Sequence, residues 1–362
     1  MTEPAIVPSF REGFPVVERL AYFNAGTEGP VPQAAEDAVR ARVHLDLTEG
    51  RVGRAYFDDV MELAELARAG YATAIGADPS EVALTSSTTY GINTVLAGLS
   101  FSAGDEIVTS DQEHPGVLVP LRRAQAVHGV EVRMVPFAEL PGEVSSDTRL
   151  VVCSHVSWVG GEVMDVTALR ATGVPVLLDA AQALGAIPVD VHELGVEYYA
   201  GSGQKWMCGP EGSGVLYVRP DCLDELEPPF PGYMTVADHD APLHSALAGN
   251  ASRLDDGWPG AVRSTWALAS MGVLSGAGWA WVHERAATGA ERLAELLRER
   301  HELAPRGRST LVSWKAQDAD GDVARLLGAG IIVRSIPSAG LVRASVGAWT
   351  SEEEIQQLAE LA

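Results

Sequence analysis

Val196-Glu-Tyr-Tyr-Ala-Gly-Ser-Gly-Gln-Lys-Trp-Met-Cys-Gly-Pro210 reads as an apolar strand, Val196–Ala200, running into a glycine-rich turn that carries Lys205. Lys205 is one of only two lysines in 362 residues, the other being Lys315; the remaining basic residues are arginines. Arginine fills most surface roles of lysine, but guanidinium keeps its charge and cannot attack a carbonyl. A lysine retained on such a turn is therefore a candidate Schiff-base former. The alternative is that compositional bias left it there by chance.

Working outward, the same grammar repeats. Short apolar runs at Val82–Thr85, Glu106–Thr109, Val130–Val135, Leu150–Ser154, Val174–Leu178, Val196–Tyr199 and Gly214–Val218 alternate with helical patterns, among them Thr89–Leu99 and Gly116–His128. β-rich runs separated by helices indicate an α/β sheet that is mostly parallel. Pro32–Ala74 reads as helical, and Pro228–Pro259, rich in Pro, Gly, Asp and His, as irregular. Beyond it, Ser264–Arg300 is mostly helical. Strands follow around Thr310–Trp314, Ile331–Ser335 and Leu341–Val346, and a last helix starts from Ser351. This second region has the look of a small α+β domain.

Composition narrows the function classes. A hydrophobic content of 46% and a charged content of 21% suit a globular chain with a real core. The formal charge of −23 argues against nucleic acid and anionic membranes as partners. Cys153, Cys208 and Cys222 are too few and too irregular for a disulfide framework, which fits a reducing, cytoplasmic setting. Met1-Thr-Glu-Pro-Ala5 lacks the basic start and apolar core of a signal peptide. Ser264–Val282 is uncharged, but its Ala, Gly, Ser and Trp content suits a closely packed buried helix better than a membrane span.

Parallel α/β sheets bind ligands beyond the carboxyl ends of their strands. Four polar clusters fall at such places. Thr85-Ser-Ser-Thr-Thr-Tyr-Gly-Ile-Asn93 follows a strand and opens a helix, so its amides and hydroxyls form a candidate anion site; simple helix capping is the alternative. Asp179, after Val174–Leu178, could pair with a protonated ring nitrogen or cap the next helix. His114, in Glu113-His-Pro115, could stack on a planar ring, shuttle protons or be structural. Ser202-Gly-Gln204-Lys205 is the fourth. An anion site, a carboxylate and an amine together match the phosphate, pyridine nitrogen and aldehyde of pyridoxal 5′-phosphate (PLP). No phosphate loop, H-E-x-x-H or G-x-S-x-G elbow occurs. Asp238-His-Asp240 with His244 lies in a loop and is not read as a metal site, so no metal is expected.

With Leu-Leu-Asp-Ala-Ala-Gln182, Ser-Gly-Gln-Lys-Trp206 and Gly-Pro-Glu-Gly-Ser-Gly214 in place, the chain resembles the class V aminotransferase family of fold type I PLP enzymes, which includes cysteine desulfurases and isopenicillin-N-epimerase-like proteins. The resemblance runs from Tyr22-Phe-Asn-Ala-Gly26 to Leu341-Val-Arg-Ala-Ser345. It implies the PLP-dependent transferase fold: a large, mostly parallel α/β domain with a small C-terminal α+β domain. The division expected is an N-terminal substrate-side arm over 1–30, a large PLP-binding domain over 31–265, and a linking helix with the small domain over 266–362.

The same resemblance implies roles. Lys205 looks like the lysine of the internal aldimine and a later general base at the substrate Cα. Asp179 would keep the pyridinium protonated, Gln182 would hydrogen-bond the phenolic oxygen, and His114 would stack on the ring. Ser87 and Thr88 through their backbone, Thr89 through its hydroxyl, Ser202 and Gln204 would hold the phosphate. Asn24, Ala25 and Gly26 would line the substrate side, with Trp158, and Arg343 would clamp a substrate carboxylate. A homodimer with an interfacial active site is expected.

Departures matter too. The stretch Val333–Arg343 lacks the nucleophilic cysteine that desulfurases carry there. Trp158 stands where they have asparagine. Trp258 falls near the partner-subunit phosphate ligand; either Ser264 or Thr265 replaces that ligand or the contact is lost. The reading is thus a PLP enzyme that forms an external aldimine with an amino acid and removes its Cα proton, with β-elimination from an S-substituted cysteine placed first. Transamination, epimerisation and decarboxylation are the alternatives. A non-catalytic cofactor-binding module is disfavoured by the complete Lys-Asp-Gln-His set.

Overall fold

The computed structural model describes residues 8–362; the N-terminal stretch Met1–Ala5 discussed above, and the first part of the 1–30 arm, lie outside the described residues. Twelve strands are formed among them: β1 (Ala21–Tyr22), β2 (Val82–Thr85), β3 (Glu106–Ser110), β4 (Glu131–Val135), β5 (Thr148–Ser154), β6 (Val176–Asp179), β7 (Tyr198–Ser202), β8 (Gly214–Val218), β9 (Leu311–Lys315), β10 (Ile331–Ile332), β11 (Arg334–Ile336) and β12 (Leu341–Ser345).

Seven of them make one sheet in the order β2-β8-β7-β6-β5-β3-β4. Only β8 runs against its neighbours; every other pairing is parallel. The central strands are buried along their whole length, β6 and β7 at every residue, as expected where helices cover both faces. Side chains alternate between those faces. Val176 and Leu178 join one apolar cluster with Val151, Cys153 and Tyr199, while Leu177 joins a second with Val152, Tyr198 and Leu216. The carboxyl ends of β3, β5, β6 and β7 therefore converge on one edge. Among them stand Ser110, Ser154, Asp179 and Ser202.

A third cluster sits under the small sheet β11-β12-β9, which is antiparallel throughout. The N-terminal strand β1 pairs in parallel with β10, and Asn24 bridges to Ser345, so the segment carrying Asn24–Gly26 is attached to this small sheet. The helix Ala261–Ala277 spans the expected boundary at 265/266 and packs against Gln33–Thr48 and Gly53–Ile75.

Three sequence-expected elements come out divided, each for a local reason. Pro32–Ala74 is two helices, Gln33–Thr48 and Gly53–Ile75, because Gly50 and Gly53 take φ of +77° and +80°. Ser264–Arg300 is split at Gly278, φ +90°, into Ala261–Ala277 and Trp279–Arg298. Ile331–Ser335 is two strands, since β10 pairs with β1 and β11 with β12. Pro228–Pro259 is irregular apart from short helical turns, and no helix among the described residues is long and apolar enough to cross a membrane.

One buried ion pair ties the irregular segment to the large sheet. Arg68 gives Asp255 two bonds, at 2.8 and 2.9 Å, and a third to the Val82 carbonyl at 2.7 Å; Asp255 also accepts from Leu84 N at 2.8 Å. Both side chains are almost fully buried. Removing one member strands the other charge, so Arg68→Met should cost about 3–5 kcal/mol in urea denaturation. A loss within about 0.5 kcal/mol, the size of an ordinary surface change, would contradict that account.

Candidate active site

Asp179 closes β6 and is buried; its Oδ1 accepts from Ala181 N at 2.8 Å. Desolvation raises its pKa, opposed by the Lys205 ammonium and that amide. Lys205 lies on the turn after β7. Burial lowers its pKa to about 8; Asp179 works in the opposite direction, while Arg343 and Arg334 add to the lowering. The amine is thus half neutral near pH 8 instead of well above it, which is what a nucleophilic lysine requires.

The helices that follow β2 and β3 start beside these residues. Ser87 caps Thr88–Gly98, its hydroxyl accepting from Tyr90 N at 3.1 Å. Thr88 N donates to Ser202 Oγ at 3.1 Å, and the two hydroxyls lie 2.7 Å apart, which joins this helix start to the end of β7. A Cβ at Gly116 would stand 2.5 Å from Thr89 Oγ1, so the second helix start, Pro115–His128, abuts the first. Helix starts lined with hydroxyls, where the helix dipole favours negative charge, suit a phosphate.

His114 caps that second helix: its Nδ1 accepts from Gly116 N at 3.0 Å, which puts the proton of the neutral ring on Nε2. Burial, then Lys205, Arg334 and Arg343, lower its pKa to about 4. It is neutral at pH 7, which favours the stacking role over a proton shuttle. Its ring meets Trp158 edge-on at 5.1 Å.

Gln182 reaches the other side. Its Nε2 donates to Gly26 O at 2.8 Å, and Trp206 Nε1 donates to its Oε1 at 3.1 Å; one amide N–H is left for a further acceptor. Gly26 has to be glycine here. A Cβ would lie 2.7 Å from Ser345 Oγ and 2.9 Å from both Arg343 Nη2 and Gln182 Oε1. Arg343 is wholly buried on β12, with Nη1 bonded to Trp158 O at 2.7 Å and Nε and Nη2 without partners. Desolvation, then Arg334, lowers its pKa to about 9.

The geometry thus brings together Asn24–Gly26, His114, Trp158, Asp179, Gln182, Lys205 and Arg343, with Ser87–Thr89, Ser202 and Gln204 alongside. Trp258 lies apart in an aromatic group with Phe57 and Tyr233, on a groove of about 920 Å³ that also includes Glu28, Gly209 and Trp266. Ser264 is buried in its helix. Asp238, His239, Asp240 and His244 are exposed, and among the described residues no three metal-ligating side chains converge.

Sequence reasoning passed over Arg334. It pairs in register with Arg343 across β11 and β12, bonds Thr27 Oγ1 at 3.2 Å, and lies over Trp158 at 5.9 Å. The signal available was two-residue periodicity: Arg334 is the third residue of Ile332–Arg334 on a strand beside the arginine already singled out. Glu113 was also missed. It is buried and accepts from Ser110 Oγ (2.5 Å), Ser154 N (2.9 Å) and Ser154 Oγ (2.7 Å), binding the ends of β3 and β5 together.

Whether these residues fit PLP can be judged from the polar atoms they leave unmatched. Asn24 Oδ1, Gln204 Oε1, Arg343 Nε and Nη2, and Ser345 Oγ are buried without protein partners. Buried polar atoms are normally satisfied. Such a group around one lysine and one carboxylate fits a polar, anionic cofactor and substrate.

An α/β protein with a lysine and an aspartate at the carboxyl edge of its sheet, beside two helix starts, has the architecture of a fold type I PLP protein. The class-V aminotransferase family model matches residues 24–358, and the chain belongs to that family. It is 33% identical over 221 residues to isopenicillin N epimerase of Streptomyces clavuligerus, covering 57% of this chain and 55% of the relative. It is 32% identical over 243 residues to a probable cysteine desulfurase of Methanothermobacter thermautotrophicus, covering 63% and 60%. The matches thus span between half and two thirds of these relatives' lengths. Among solved structures, a C-DES mutant with glycine covalently linked to the PLP cofactor superposes with TM-score 0.91 at 28% identity, covering 97% of this chain and 98% of that one. The complex of the cystine C–S lyase C-DES with cysteine persulfide gives 0.90, also at 28%, covering 96% and 98%. PLP is the cofactor of this chain.

In cofactor-free protein, amine-directed labelling of Lys205 should rise with pH through a midpoint of about 8. The sign follows from deprotonation being the activating event and from burial having lowered the pKa. Lys315, exposed and paired with Glu302, is the internal comparison. Equal midpoints for the two lysines would show that Lys205 is not perturbed.

Proposed function

We propose that this chain is a PLP-dependent lyase acting on an S-substituted cysteine. The residues that would hold the cofactor are Lys205 at its aldehyde carbon, Asp179 at the pyridine nitrogen, Gln182 at the phenolic oxygen and His114 on the ring face. Ser87, Thr88, Thr89, Ser202 and Gln204 would take the phosphate. When bound, PLP supplies an electron sink for the carbanion equivalent at the substrate Cα.

The chain's own groups do the rest. Arg343, with two unmatched N–H directions, grips the α-carboxylate in a two-point fashion. Asn24 and Gly26 form the wall beside it. Lys205, whose lowered pKa leaves a good fraction neutral, takes the Cα proton. The Cβ–S bond then breaks, and the sulfur departs with its electron pair as a thiolate, or as a persulfide if the substrate is a disulfide. Neutral His114 and the Trp158 indole limit water around the reacting atoms.

The observation that carries this reading is the conjunction of a complete proton-abstraction set with a Val333–Arg343 segment that holds no thiol. Sulfur then has to leave with the product, because no protein thiol stands there to receive it. Cys153 and Cys208 are buried, and burial pushes both pKa values up, away from thiolate chemistry. Similarity to a cystine C–S lyase over nearly the whole chain supports it. Arg334 and Arg343 appear in no ion pair among the described residues, although the chain has 49 acidic residues. Two such guanidinium groups suit a substrate with a second carboxylate, as a disulfide of cysteine has. The epimerase relative favours inversion at Cα as the second reading.

We also propose a homodimer. Val43, Leu47, Val52, Phe57 and Trp258 are large apolar side chains left exposed, which supports burial against a second copy.

A panel of amino acids and cysteine conjugates tests the reaction, scored separately for thiol with pyruvate, keto acid, inverted substrate and carbon dioxide. Thiol and pyruvate from a cysteine conjugate are expected; inversion or keto acid alone, with no thiol from any conjugate, would replace lysis by the second reading or by transamination. Arg343→Lys should raise KM about 10–100-fold, the worth of roughly 1.5–3 kcal/mol for a charged hydrogen bond. An unchanged KM would remove Arg343 from the substrate site.

A further inference from the structure

Cys208 is the one residue other than glycine, among those described, whose backbone enters the left-handed region, at φ +53°. An L side chain is sterically disfavoured there, and such a residue persists only where its surroundings over-determine it. The thiol packs in the apolar core, but it offers no chemical reason for this backbone conformation, since burial raises its pKa and its one hydrogen-bonding contact is a long 3.8 Å approach to Trp206 O.

The restraints are all on the backbone. Cys208 N donates to Lys205 O at 3.0 Å, closing a turn over Trp206 and Met207. Cys208 O accepts from Trp266 Nε1 at 3.1 Å and from Ser270 Oγ at 2.8 Å. Those two donors stand four residues apart on the helix Ala261–Ala277, one above the other on the same face. Ser270 is fully buried. Gly29 N also donates to Gln204 O at 2.8 Å, and a Cβ at Gly29 would overlap Lys205 O and lie 3.1 Å from Cys208 Cα. The backbone from Gln204 to Cys208 is therefore held both by the Gly29 segment and by one helix face.

We propose that Trp266 and Ser270 are positioning residues for Lys205: by holding the Cys208 carbonyl they keep the left-handed residue in place and fix the turn from which the lysine projects. The inference rests on reading Lys205 as the lysine that takes the cofactor. It predicts that glycine at 208, which accepts this conformation without strain, makes the two donors dispensable.

The test uses the full chain, stripped of cofactor, exposed to pyridoxal 5′-phosphate and reduced with borohydride over a range of pH. Lys205 and Lys315 are quantified separately by peptide mass spectrometry. In the unaltered protein Lys205 should trap the probe first; if it does not, the reading of Lys205 itself fails. Trp266→Phe with Ser270→Ala should lower Lys205 trapping about tenfold at neutral pH relative to Lys315, as a rise of about one pKa unit would do. It should also move the Lys205 midpoint towards alkaline pH. Adding Cys208→Gly to that background should restore both. Trp266→Phe alone, which keeps the ring and loses the N–H, should show a smaller shift in the same direction. An unchanged Lys205 to Lys315 ratio and midpoint in the folded double variant, or failure of Cys208→Gly to restore them, overturns the proposal.

Discussion

The structure is organised around an electrostatic conflict inside a buried site. Lys205 feels the charges of Arg343 and Arg334 on one side of the balance and of Asp179 on the other, within a chain whose formal charge is −23. Burial is the chief force that lowers the amine's pKa, and the repulsion of the two guanidinium groups adds to it, so the neutral form is favoured. Burial lowers the pKa of Arg343 as well, to about 9, and the lysine, at about 8, is the first of the two to become neutral. The fold thereby makes a nucleophile out of a residue that is normally an inert cation at neutral pH. Asp179 limits the effect, since its carboxylate works to keep the amine protonated.

That arrangement depends on where strands end. Asp179 and Ser202 are the last residues of neighbouring parallel strands, and Ser154 is the register partner of Asp179 on the third. The helix starts at Thr88 and Pro115 lie over the same edge. No loop has to reach far to assemble the site; sheet topology supplies it. The reversed strand β8 lets the segment bearing Lys205 join two antiparallel neighbours directly, with no crossover helix between them.

The large sheet was legible because buried parallel strands are continuous apolar runs between polar breaks, and β2 and β8 were placed at the residues where they form. Lys205, Asp179 and the Thr/Ser cluster were legible because each follows such a run. What escaped was whatever depends on contact across distant segments. Arg334 carries only the weak mark of strand alternation; it matters because β11 lies beside β12. The closeness of Gly26 to Arg343 and Gln182 is likewise a tertiary fact. Helix breaks at Gly50–Gly53 and at Gly278 were hidden because helical composition continues on both sides. The left-handed Cys208 was invisible because φ is not written in a cysteine.

The attachment of β1 to β10, with the Asn24–Ser345 bridge, has a mechanical corollary. The stretch from Asn24 to Gly29 is a strap: anchored at one end to the small sheet, and at the other, through Gly29 N, to the backbone just before Lys205. Any rigid-body displacement of the small sheet carries Gly26 and Arg343 as one piece. It pulls against Gln182 and Gln204 at only two hydrogen bonds, Gln182 Nε2 to Gly26 O and Gly29 N to Gln204 O. The strand that bears Arg343 and the lysine turn are therefore tied to each other through a short run of chain, which sets an upper limit on how far they can separate.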